Sequence, residues 1–73
     1  MPTPEPTTKI LISSMSDYLE ANIKKHVANV WVLLENPSGV ADHPDIMTTI
    51  EGELQKISEY QDKLKALDNY FVG

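Results

Sequence analysis

Any chemistry in this chain would centre on His26 and His43 and the carboxylates that can reach them, because its 73 residues hold eleven Asp and Glu, six Lys, two His and no Cys. Asp42, His43 and Asp45 make one mixed nitrogen and oxygen group, and His26 with Glu53 makes another. Neither has a metal-site pattern. A calcium loop needs about twelve residues with five or more oxygen donors at set spacing, and zinc needs three or four converging ligands. The paired-helix di-iron site needs Glu-x-x-His on facing helices, a spacing absent from the chain. No metal and no cofactor is expected. Catalysis is equally poorly supplied: there is no thiol nucleophile, no scaffolded Ser-His-acid grouping and no glycine-rich phosphate loop, so no catalytic residue is assigned and an enzyme is not expected.

Charge narrows the partners. The net charge is −5 and every basic residue is a lysine, so no arginine fork is available for phosphate or carboxylate recognition. Lys24-Lys25-His26 is the one basic cluster and reads as a solvated face, since a nucleic-acid binder shows a broad basic stripe. Seven acids against three lysines from Asp42 onward give the C-terminal half an acidic surface that repels nucleic acid and anionic lipid. No stretch approaches the roughly 18 apolar residues of a membrane span, and the N-terminus lacks the basic region and long apolar core of a secretory signal. A cytoplasmic product is expected.

The elements that position these side chains are two helices. Pro2, Pro4 and Pro6 mark residues 1–8 as a disordered Pro/Thr arm, leaving 9–73 as one domain. Ile12, Met15, Leu19, Ile23, Val27, Val30 and Leu34 recur at three and four residues, which predicts an amphipathic helix over about 16–35. Lys9 is an alternative start that would equalise the helix lengths, and Met15 is an alternative translation start. Pro37 and Ser38-Gly39 end this helix and open a loop over 36–43. A second helix over about 44–71 opens at Pro44 and repeats Ile50, Ile57, Leu64 and Phe71 every seven residues, flanked by Ile46, Met47, Leu54, Tyr60 and Leu67, as coiled-coil packing requires. Gln61 and Asp68 fall within this stripe as expected polar seam residues, while Gly52 lies on the opposite face. Glu20 with Lys24 and Glu59 with Lys63 are i,i+4 pairs in the favourable orientation.

The fold expected is therefore all-α, an antiparallel two-helix hairpin. With Glu35 opposite Pro44, its register sets His26 across from Glu53 as a candidate pH-sensitive pair. A chain this short buries only about 60% of its unfolded surface. The turns from Val27 to Leu34 are apolar nearly all round, so the hairpin is expected to assemble into a four-helix bundle, as a homodimer or larger oligomer. The candidate interface is Val27, Ala28, Val30, Trp31, Val32 and Leu34 on the first helix with Ile50, Ile57, Leu64 and Phe71 on the second. Tyr70 adds to the apolar tail.

Two resemblances bear on function. His43-Pro44-Asp45 resembles the His-Pro-Asp of J-domain co-chaperones, but the likeness stops at three residues: that family's preceding helix is basic and runs almost up to the motif, whereas a Pro-Ser-Gly turn precedes it here. These residues read as a helix start, with Asp45 facing the positive end of the dipole. The segment NVWVLLENPSGVADHPDIMTTIEGELQKISEYQDKLKALDNYF resembles small uncharacterised helical proteins of tailed marine cyanobacterial phages. That resemblance implies a phage-encoded accessory or structural product, in the host cytoplasm or virion, and transfers no active site. The function expected is a non-catalytic structural or protein-protein interaction module that self-associates through apolar helix faces. The alternative is an adaptor that binds one host or phage protein through the same surface.

Overall fold

The computed structural model describes residues 5–36 and 45–72, and these form two helices packed against each other. Helix α1 spans Glu5–Glu35 and α2 spans Ile46–Phe71. Thirty-one and twenty-six residues correspond to about 46 and 39 Å of helix. The expected arm over 1–8 is thus corrected from residue 5 onward, and α1 begins before both expected starts, Lys9 and Ser16. Pro6 is compatible with this because it falls in the first turn, where a backbone N–H has no acceptor within the helix. Residues 1–4 and 73, most of the expected loop, including Asp42 and His43, and Pro44 at the expected start of the second helix lie outside the described residues.

The N-terminus of α2 is also corrected, from Pro44 to Ile46, because Asp45 caps it. Asp45 Oδ1 accepts from the Thr48 backbone N–H at 3.0 Å, and its Oδ2 accepts from the Thr48 hydroxyl. Hydrogen bonds from Thr48 hold the Asp45 carboxyl below its ordinary range. At the adjacent end of α1, the Asn36 N–H donates to the Val32 carbonyl at 3.0 Å.

Between the helices runs a seam spaced four and three residues in strict alternation. On α1 it contains Ile12, Ser16, Leu19, Ile23, His26, Val30 and Leu33; on α2 it contains Ile46, Ile50, Glu53, Ile57, Tyr60, Leu64 and Leu67. All are at least half-buried, and Leu19, 4% exposed, is the only buried hydrophobic residue among those described. A repeat averaging 3.5 residues keeps each stripe facing its partner along the whole hairpin. Met15, Val27 and Leu34, expected in the stripe, are instead exposed; Ser16, His26 and Leu33 take those places. Gln61 and Asp68 are likewise exposed, with Tyr60 and Leu67 in the seam. Each correction moves the seam by one residue, because the facing helix selects one 3.5-residue line from a helix surface with several apolar lines.

The result is a rod. Its radius of gyration is 17.1 Å, against about 11 Å for a compact domain of this length. Its accessible surface is 5788 Å², against about 4,500 Å² expected for a folded monomer of 8.2 kDa. Trp31 is 59% exposed and Met47 73%.

Candidate functional site: a polar layer in the helical seam

The central part of the seam is polar where its neighbours are aliphatic. His26 from α1 and Glu53 from α2, 27 residues apart in sequence, meet with Nδ1 2.5 Å from Oε2. Their side chains are 12% and 23% exposed. An ionised carboxylate only accepts, so the contact places the proton on Nδ1. Asn29, one turn from His26, donates from Nδ2 to both Glu53 oxygens at 3.3 Å. The His26 ring stacks on Tyr60, with centroids 5.9 Å apart and planes within 16°, and the Lys63 ammonium lies 5.2 Å from the centre of the same Tyr60 ring. Helix spacing explains the set: residues 26 and 29 share a face of α1, and 53 and 60 lie two turns apart on α2.

The hydrogen bond from His26 is the main reason the Glu53 carboxyl is held below its ordinary range. Partial burial opposes the shift, and the Asn29 bond with the charges of His26 and Lys25 supports it. No buried side-chain nitrogen or oxygen among the described residues lacks a hydrogen-bond partner. The layer is therefore a satisfied network, and it sets the helix register: sliding α2 by one turn would leave both His26 and Glu53 against aliphatic neighbours.

Metal chemistry finds little here. His26 and Glu53 supply two donors, and no group of three or more His, Cys, Asp or Glu side chains among the described residues is placed to hold an ion. The Asp42 and His43 part of the other candidate cluster lies outside the described residues, and the described member, Asp45, serves as a helix cap.

The candidate interface residues separate into two sets. Val30, Ile50, Ile57 and Leu64 lie half-buried in the seam within one chain. Val27, Ala28, Trp31, Val32, Leu34 and Phe71 are exposed. Sequence reasoning gave Asn29 no role; of the residues it placed beside the α2 repeat, Tyr60 lies in the seam whereas Met47 and Leu54 are exposed, and the spacing of Asn29 from His26 and of Tyr60 from Glu53 was the available signal for the polar layer. The expected Glu59 to Lys63 pair is replaced: Glu59 lies 3.8 Å from Lys56, while Lys63 covers Tyr60. No described helix is long and apolar enough to cross a membrane. Compared with known proteins, the chain matches no family model, no curated protein and no solved structure.

Proposed function

We propose that the protein is a non-catalytic self-association module, a hairpin whose exposed apolar faces are covered by a further copy to make a four-helix bundle. The supporting observation is the surplus surface: the rod exposes about 1,300 Å² more than a folded monomer of its mass. The exposed side chains include the apolar Val27, Trp31, Leu34, Met47 and Leu54. An exposed apolar surface of this extent marks an association site. The polar layer at His26 and Glu53 serves this role by holding the two helices in one register, so that the outer faces present a constant pattern. Sedimentation velocity across micromolar concentrations tests the reading; an oligomer supports it, and a lone 8.2 kDa species at every concentration overturns it.

A further inference from the structure

The seven-residue spacing that builds the seam also sorts the residues beside it. Along one side of α1 run Glu20, Val27 and Leu34 on one line and Asp17, Lys24 and Trp31 on the next. The corresponding side of α2 carries Met47 and Leu54 on one line and Glu51, Lys65 and Val72 on the next. These lines belong to a single face of the hairpin, because Ser13 and Asp17 of α1 line the same groove as Asp68 and Val72.

That face has complementary features at its two ends. Near the loop, Val27, Trp31, Leu34, Met47 and Leu54 form an exposed apolar ridge. At the open end, a groove of about 440 Å³ separates the helices, with Ile12, Phe71 and Val72 as its apolar lining. Trp31 is nineteen residues from Ile12 along α1, about 28 Å.

We infer that a second copy of the chain docks antiparallel on this face, so that Trp31 of each copy enters the open-end groove of the other. The inference rests on the reading that the protein self-associates, and it assigns the face and orientation. A two-fold axis lying in the interface and perpendicular to the helices closes the pair, covering each ridge and each groove once. The same rotation brings Lys24 of one copy to the level of Asp17 and Glu20 of the other, and Glu51 to the level of Lys65, so the charges beside the ridge meet opposite signs. Parallel stacking would set ridge on ridge and leave both grooves open.

Five full-length chains test this: wild type, Trp31→Glu, Val32→Glu, Lys24→Glu and Asp17→Lys, each checked for helix content by far-UV circular dichroism. The wild type is expected to dimerise, with a concentration-dependent blue shift of its single tryptophan's emission. Trp31→Glu should raise the dimer Kd by about 30-fold or more, while Val32→Glu, beside the groove on the opposite face, stays dimeric. Lys24→Glu and Asp17→Lys should each weaken the dimer alone. Mixed in equal amounts they should pair with each other, seen as a heterodimer by native mass spectrometry, because both charge contacts are then restored. A dimer that survives Trp31→Glu but not Val32→Glu, or a mixture that forms no heterodimer, overturns the assigned face while leaving self-association in place. A wild type that stays monomeric overturns both.

Discussion

His26 Nδ1 and Glu53 Oε2 lie 2.5 Å apart at a polar layer between Ile23 and Val30 on one helix and Ile50 and Ile57 on the other. A hydrogen-bonded pair in this position contributes more to specifying the register than to raising stability, because partial desolvation of both groups offsets much of their attraction.

Removing one member should be costly. Glu53→Ala leaves His26 and Asn29 without their acceptor, and is expected to lower the unfolding free energy by about 1–3 kcal/mol. His26→Leu with Glu53→Leu together should restore most of that loss while allowing the helices to slip. Urea denaturation of the wild type, Glu53→Ala and the double variant measures the first effect, and disulfide trapping between engineered cysteines at shifted registers measures the second.

The pH dependence follows from the lowered Glu53 carboxyl. Its folded-state pKa lies below the unfolded value of about 4.3, so the unfolded chain binds the proton more readily. The stabilisation is present above that unfolded value and is lost as pH falls through the folded one. Thermal melts between pH 2 and 8 should therefore show a Tm that falls on acidification, with a shallower fall in His26→Ala. Asp45, also lowered, acts in the same direction through its cap, so the comparison is made with Asp45 intact in both chains. Superimposable acid limbs would remove the role assigned to His26.

Leu19, 4% exposed, is the one described hydrophobic residue that a single hairpin buries. Leu19→Ala should cost about 2–4 kcal/mol, a large share of the stability of so small a core, whereas Met15→Ala on the exposed flank should change the fold's stability far less. Chemical denaturation of both variants checks the contrast; equal losses would place the seam on the wrong line.

Gly52 faces open space, with nothing within 4 Å of where a Cβ would stand. Gly52→Ala should raise stability by roughly 0.5–1 kcal/mol by reducing the freedom of the unfolded chain. A lowered Tm would show that another chain approaches closely at this point.

Much of this hairpin was legible in the residue pattern. The repeat of Ile50, Ile57 and Leu64 every seven positions located the α2 seam, and the register inferred across the loop placed His26 opposite Glu53. The extent of α1 was less legible: prolines suggest an irregular arm, yet Pro6 is tolerated in a first turn that needs no N–H donor there. The polar neighbours Asn29 and Tyr60 were legible only as spacing from His26 and Glu53, since their contacts across the seam exist only once the two helices face each other.

By itself, then, the sequence determined two helices and the seven-residue repeat on the second, because turn residues and periodicity act locally along the chain. Only the tertiary structure decided which line of α1 forms the seam. From Val27 to Leu34 that helix is apolar on nearly every side, so its own periodicity selects no face. The choice of His26 over Val27 and of Leu33 over Leu34 is made by α2, whose 3.5-residue stripe and Glu53 carboxylate require a matching stripe with a donor at one position. The apolar side chains left outside that match, Trp31 and Leu34 among them, stay exposed on the hairpin.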